Sequence, residues 1–150
     1  MKKCIGILLL ASATFLSGCK AMEAGGWITP APQKSKYLKT TDGGFVGKLP
    51  LPAKKKDLAF SCSYGANVSP QLPRPAYAKI IFEMPEKGRN HEETILIGEN
   101  DTSLSGSSPE SKNWKHYQGY RVEVLVFSDK NMTHKIDRLE QFIRFQMPRL

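Results

Sequence analysis

The stretch Tyr120-Arg121-Val122-Glu123-Val124-Leu125-Val126-Phe127 decides the fold of this chain. Its even-numbered positions are all apolar or aromatic, whereas its odd-numbered positions begin with Arg121 and Glu123 and become apolar toward Phe127. Alternation with a period of two is typical of a strand that has one face on a core. Turn-forming residues follow at Ser128-Asp129-Lys130-Asn131. The sequence therefore predicts a half-buried β-strand over residues 120–127.

Similar stretches precede it in the chain. Residues 57–64 also alternate, residues 76–84 are rich in β-forming side chains, and residues 94–98 make another short strand. Residues 65–75, with three prolines, and residues 86–90 separate them as turns. Short strands with turns between them predict an all-β fold, a single small immunoglobulin-like antiparallel β-sandwich. Residues 57–150, about 95 residues, suit one domain with one modest core.

The last segment fits two patterns. Ile136, Leu139, Ile143 and Met147 have helical spacing, but alternate residues from Leu139 to Met147 also fit a strand. We favour a strand over residues 141–147, because it would pair antiparallel with residues 120–127. The period alone leaves a short helix open.

The N-terminus has the layout of an export signal. Lys2 and Lys3 precede an apolar run from Ile5 to Phe15, which is too short for a membrane span of about 20 residues. Leu16-Ser17-Gly18-Cys19 then resembles the lipobox of bacterial lipoprotein precursors. The resemblance implies that residues 1–18 are a cleaved signal peptide and that acyl chains on Cys19 anchor the mature chain in a membrane. Lys20, in place of the aspartate that marks inner-membrane retention, implies an outer-membrane location facing the periplasm.

The positive charge is concentrated next to this cysteine. The chain has 22 Lys and Arg against 14 Asp and Glu, yet residues 57–150 contain 12 of each sign. Residues 19–56 hold eight lysines, five glycines and four prolines, which predicts a flexible basic tether. An anionic membrane, rather than nucleic acid, is the expected charged partner, and a merely solvated linker is the alternative. Within the tether, Phe45-Val46-Gly47-Lys48-Leu49 could instead add an edge strand to the domain.

No combination of residues predicts chemistry. Once Cys4 is removed and Cys19 acylated, Cys62 is alone, so no intrachain disulfide is expected and a small buried side chain is the favoured interpretation. His91, His116 and His134 lack metal-ligand spacing. Nothing near the serines of residues 103–108 resembles a nucleophile motif. We therefore expect no catalytic residues, no metal and no cofactor, and a protein that is not an enzyme.

Residues 99–119 predict a long polar loop that ends in aromatic residues. Loops longer than about 12 to 15 residues are often functional, and Trp and Tyr often anchor protein interfaces. We predict a partner-binding site at Trp114 and Tyr117, supported by Tyr120 and Arg121. The alternative is that Trp114 and Tyr117 fold back and cover the core.

The order of features carries a second resemblance. A lipobox, a linker, a strand with a lone cysteine and the penultimate strand Tyr120-Arg121-Val122-Glu123-Val124 are similar to those of small periplasmic immunity lipoproteins, which protect bacteria from type VI secretion effectors. This resemblance implies an inhibitor, without catalysis of its own, of a periplasm-acting toxin or effector such as a lipase. The alternative function is that of a structural or assembly lipoprotein in a cell-envelope or secretion complex.

Overall fold

The computed structural model describes residues 26–28, 34–47 and 58–147. These residues form antiparallel β-strands and contain no helix. A five-stranded sheet has the order β1-β8-β7-β4-β5, and a three-stranded sheet has the order β2-β3-β6. The predicted all-β sandwich is therefore confirmed. The strands are β1 (Gly26–Ile28), β2 (Leu38–Gly47), β3 (Phe60–Val68), β4 (Ala76–Glu83), β5 (Asn90–Ile97), β6 (Ser103–Ser107), β7 (Gly119–Phe127) and β8 (Lys135–Phe145).

The connections between the sheets are those of an immunoglobulin-like sandwich. The chain crosses from one sheet to the other between β1 and β2, between β3 and β4, between β5 and β6, and between β6 and β7. The orders β2-β3-β6 and β8-β7-β4-β5 reproduce the two sheets of that fold, and β1 adds a further strand beyond β8. No helix in the described ranges is long and apolar enough to cross a bilayer.

The alternating stretch forms β7, as predicted. Tyr120, Val122, Val124 and Val126 are all 1% exposed or less, while Arg121 lies on the other face. β7 pairs with β4 on one side and with β8 on the other. The strand predicted over residues 141–147 is also confirmed, although β8 begins earlier, at Lys135, and ends at Phe145.

Aromatic rings fill one end of the core, where β8 finishes. The Phe45 ring meets the Phe145 ring edge to face at 4.9 Å, and the Phe60 ring meets Phe145 at 5.2 Å. Such pairs add roughly 0.5–1.5 kcal/mol beyond the burial of their area. This end of the sandwich is therefore held together by rings from β2, β3 and β8.

The domain boundary at residue 57 needs correction, because the sandwich contains strands from the segment assigned to the tether. β2 pairs with β3 along its whole length, and its residues Leu38 and Phe45 are 4% and 1% exposed. β1 pairs with the end of β8. Pairing with β3 and burial of Leu38 and Phe45 in the core outweigh the poor strand propensity of the glycines in this edge strand. Residues 1–25, with the signal peptide and Cys19, and residues 48–57 lie outside the described residues.

The predicted loop over residues 99–119 also needs correction, because it contains β6. Leu104 is buried and lies opposite Ala66 of β3, and serines and a glycine flank it. One buried leucine on an edge strand gives almost no alternation, which is why the sequence pattern missed it.

Candidate partner-binding surface

Trp114 belongs to the core, which corrects the prediction that it contacts a partner. Its side chain is 5% exposed, and its indole Nε1–H donates a hydrogen bond to the backbone oxygen of Phe60 at 2.6 Å. Its ring meets the rings of Phe45 and Tyr120 edge to face at 4.8 and 4.7 Å. The alternative interpretation of Trp114, as a cover over the core, therefore holds.

Tyr120 is also unavailable to a partner, because it is 1% exposed. Its hydroxyl oxygen accepts a hydrogen bond from the Lys115 backbone N–H at 2.8 Å. Burial is the main cause that raises the pKa of this hydroxyl. Tyr120 thus fixes the turn that precedes β7 from inside the domain.

Tyr117 lies on that turn and is 58% exposed. Its φ of 64° is in the left-handed region, which is uncommon for a bulky residue and costs about 1 kcal/mol or more. Two hydrogen bonds to Phe145 hold the conformation, since the Tyr117 N–H donates to the Phe145 oxygen at 2.8 Å and the Phe145 N–H donates to Gln118 at 2.9 Å. The centroids of the His116 and Tyr117 rings are 3.8 Å apart. The structure therefore displays an exposed aromatic pair at a fixed position.

Arg121 points away from the core, onto the outer face of the five-stranded sheet. We define the outer face as the side chains of β4, β5, β7 and β8 that point away from the three-stranded sheet. Phe142 of β8 lies directly opposite Arg121 and is 41% exposed. Leu96 of β5, at the far corner of the same face, is 57% exposed. The outer face includes Tyr77, Lys79, Ile81, Glu83, Asn90, Glu92, Thr94, Leu96, Arg121, Glu123, Leu125, Arg138, Glu140, Phe142 and Arg144.

A row of ion pairs crosses this face. The Arg138 guanidinium contacts Glu123 at 2.7 Å and Glu140 at 2.8 Å, and Glu140 also lies 3.9 Å from Arg121. These pairs are partly exposed, so each contributes only about 0–1 kcal/mol to stability. The main effect of these ion pairs is that they limit the conformations of the arginine side chains beside Phe142.

A hollow of about 460 Å³ adjoins Arg121 and Phe142. The turn between β4 and β5 forms its other wall. Glu83 accepts a hydrogen bond from the Arg121 backbone N–H at 2.8 Å, and Glu86 accepts bonds from Ser111 and Asn113 at 3.0 Å. Both acids are thus engaged by neighbouring groups, while the hollow also exposes basic and apolar atoms. The hollow suits a partner's side chain that has an acidic or amide end. Its lining residues are Glu83, Met84, Pro85, Glu86, Lys87, Gly88, Arg89, Asn90, Lys115, Gln118, Arg121 and Phe142.

The described residues offer little for chemistry. No group of three His, Cys, Asp or Glu side chains in the described ranges could hold a metal ion. Cys62 is 1% exposed, and burial raises the pKa of its thiol to about 12. A thiol in that state is a poor nucleophile, and the predicted role of a small buried side chain is confirmed.

Sequence reasoning missed Phe142 and Leu96. Both lie inside strands predicted from the sequence, and each is next to a buried residue that faces the core, Ile143 beside Phe142 and Ile97 beside Leu96. An apolar side chain on the polar face of a strand was the signal that could have found them. No protein-family model matches the chain, and searches of curated proteins and of solved structures likewise return no match.

Proposed function

We propose that this chain is a lipoprotein held in the outer membrane by acyl chains on Cys19, where it faces the periplasm and binds another protein through Tyr117, Arg121 and Phe142. Binding neutralises a periplasm-acting toxin or effector, such as a lipase. The chain acts as an inhibitor or immunity lipoprotein and performs no catalysis of its own.

The exposure of Phe142 carries this proposal. Because Phe142 is 41% exposed, burying the rest of its side chain at an interface would gain roughly 1 kcal/mol. Arg121 stands opposite it, and Glu140 restrains the guanidinium. Aromatic residues and arginine are the side chains that are enriched at the centre of protein interfaces.

The rigidity of the surroundings supports tight binding. Phe142 and Arg121 project from paired strands, and hydrogen bonds to Phe145 hold the turn that carries Tyr117. Ordering flexible loops opposes association, so a surface that is already ordered retains more of its contact energy. A single chain with this surface can therefore act as a stoichiometric inhibitor.

Protection of cells tests the proposal. The product of the neighbouring gene is expressed in the periplasm of test cells, and the survival of these cells is measured. The cells carry the wild-type chain, the double variant Arg121→Ala with Phe142→Ala, or the variant Val46→Ala. Val46 is the matched control, because it is a 55% exposed apolar residue of the other sheet. We expect wild type and Val46→Ala to protect and the double variant to fail.

Two outcomes would count against the proposal. Full protection by the double variant would show that the partner binds elsewhere. If the neighbouring product is harmless and loss of the chain instead abolishes the output of an envelope complex that co-purifies with it, the assembly role would replace inhibition.

A further inference from the structure

β5 is an edge strand of the five-stranded sheet and has an unpaired side. It pairs with β4 over its whole length, and no described strand lies on its other side. Natural proteins commonly protect an edge strand with a bulge, a proline, a charge or a short length. β5 is eight residues long, its register with β4 contains no bulge, and its sequence contains neither proline nor glycine. Its edge is therefore regular enough to accept another strand.

The backbone groups on this unpaired side include those of Glu92, Thr94 and Leu96. Met84 donates its N–H to the Arg89 oxygen at 3.2 Å, so these two residues form a hydrogen-bonded pair of the β4–β5 ladder. Hydrogen-bonded pairs recur at every second residue of an antiparallel ladder, which means that the odd-numbered residues of β5 bond to β4. The N–H and C=O groups of the even-numbered residues therefore point away from β4, and their side chains are exposed.

Neighbouring backbone groups are capped, whereas those of the β5 edge are open. The Gly98 N–H, just beyond β5, donates to the Asp101 carboxylate at 2.7 Å. On the nearest edge of the other sheet, the Ser107 N–H of β6 donates to the Glu93 carboxylate at 3.3 Å. Within the described residues, no group bonds in this way to the open side of β5 itself.

Apolar side chains lie on both faces beside the open backbone. Leu96 is 57% exposed on the outer face, and Ile95 faces the core but is only partly buried. A strand added beside β5 would lie about 4.8 Å away and cover both side chains. In β-strand addition, the backbone hydrogen bonds supply affinity and alternate side chains supply specificity.

The charge of this edge is acidic. Residues 90–101 contain no lysine or arginine and four carboxylates, those of Glu92, Glu93, Glu99 and Asp101. Lys79 of β4 pairs with Glu92 at 3.4 Å, and Arg74 binds two backbone oxygens at the end of the segment. With His91 counted as neutral, four carboxylates against two cations leave two negative charges in excess. The preceding turn and its flank add none, since they hold Lys87, Arg89, Glu83 and Glu86.

This charge selects among the strands that the edge can accept. A segment that carries lysine or arginine complements the acidic edge, because opposite charges across an interface favour association. A second copy of β5 would instead bring two acidic edges together, and like charges oppose such pairing. The occupant that fits both the backbone and the charge is a basic extended segment of another protein.

We infer that the open edge of β5 binds an extended, basic segment of the protein partner as an added β-strand. The inference rests on the proposed function for the existence of that partner, and it adds the way in which the partner binds. The sheet order β8-β7-β4-β5 places this edge three strands from Phe142, or about 14 Å. One partner can therefore contact Phe142 and extend the same sheet.

Hydrogen exchange with a peptide probe tests this inference. The probe is a seven-residue peptide with blocked termini that alternates lysine with valine, and the control peptide alternates glutamate with valine. The chain from Lys20 to Leu150, which retains every described strand, is labelled with nitrogen-15 for NMR. At a lysine-peptide concentration about ten times Kd, the amides of Glu92, Thr94 and Leu96 should exchange about tenfold more slowly. The glutamate peptide should protect none of them.

Variants at the centre of the edge separate the backbone from the side chain. Thr94→Pro removes an N–H that does not bond to β4, so the strand should still form, and we expect it to bind the lysine peptide on the order of 10- to 100-fold more weakly. Thr94→Ala keeps the N–H and should bind as wild type does. Ser105→Pro is the matched control, because its N–H lies on the open edge of β6, and it should also bind normally. Thermal unfolding checks that both proline variants fold, and the protection pattern of the wild-type chain tests the edge without them.

Four results would overturn the inference. The lysine peptide could protect none of the three β5 amides, or it could protect Ser103 and Ser105 of β6 equally. The glutamate peptide could protect the β5 amides as well, which would remove the role of charge. The free chain could also sediment as a dimer with these amides already protected, which would make a second copy the occupant.

Failure of the proposed function is separately visible. If Phe142→Ala loses protection of cells while Thr94→Pro protects fully, the inference about the β5 edge fails and the proposed function stands. If the product of the neighbouring gene is harmless and does not bind, while the lysine peptide still protects the β5 amides, the inhibitor proposal fails and the edge remains a strand-binding site.

Discussion

Replacing Trp114 with alanine tests how the sandwich is closed at its aromatic end. The change removes a ring that packs on Phe45 and Tyr120 and the N–H that binds the Phe60 oxygen at 2.6 Å. Truncating a buried tryptophan in this way costs about 3–5 kcal/mol. At about 4 °C for each kcal/mol in a domain of this size, we expect Tm to fall by roughly 12–20 °C.

A graded series separates packing from hydrogen bonding. Trp114→Phe keeps a ring and loses the N–H, and because the Phe60 oxygen still accepts the Ser111 N–H at 2.9 Å, the cost should be about 1–2 kcal/mol. Tyr117→Ala is the exposed control, with a change of at most about 0.5 kcal/mol. Urea unfolding followed by far-UV circular dichroism measures all three. Equal values for Trp114→Ala and Tyr117→Ala would refute the burial of Trp114.

Three further predictions concern local features of the fold. Tyr117→Gly relieves a bulky residue at a φ of 64°, so the free energy of unfolding should rise by up to about 1 kcal/mol in urea titration, and a decrease would contradict the turn geometry. Burial raises the pKa of Cys62 from 9.0 to about 12, so the folded state holds this proton more tightly than the unfolded state does. The stabilisation from the protonated thiol is therefore full below pH 9 and is lost as the pH rises toward 12. Cys62→Ala should reduce the decrease of the urea midpoint over this alkaline range. An unchanged decrease would contradict the burial of the thiol. Gly47→Ala places a methyl group 2.5 Å from the Phe60 ring, which should destabilise by about 1–3 kcal/mol, whereas Val46→Ala should be nearly neutral, and similar effects would contradict the register of β2.

The sheet class and its central strand follow from sequence pattern alone. Residues 120–127 alternate without interruption, and one buried face of valines gives the period of two directly. Residues 135–145 required a choice between two periods. Pairing with β7 decided it, because a tertiary partner rather than local preference determines a short apolar run.

β2 could not be predicted in the same way. Its sequence contains Gly43, Gly44 and Gly47, and a bulge between Thr40 and Asp42 breaks the alternation. Strands with glycines and a bulge depend on their neighbours for stability, and the composition of the segment resembles a linker. Only Phe45 and the residues next to it have a strand-like pattern, and the possibility that residues 45–49 add an edge strand was based on that pattern.

Burial divides the four residues that the sequence predicts as a partner-binding site. Tyr117 and Arg121 are on the surface, as a partner site requires, whereas Trp114 and Tyr120 lie in the core. The sequence places all four within eight residues, and nothing in it reveals that the Phe60 oxygen lies in reach of the indole. Phe142 comes from a distant strand, so only the register of β7 and β8 brings it opposite Arg121.

The affinity of the purified chain for the product of the neighbouring gene tests the central claim most directly. Titration calorimetry compares wild type with Phe142→Ala and with the exposed control Val46→Ala. Loss of an interface hot spot of about 2 kcal/mol predicts that Phe142→Ala weakens binding about 30-fold while Val46→Ala leaves it unchanged. Equal affinities for wild type and Phe142→Ala would contradict the claim that this face binds the partner.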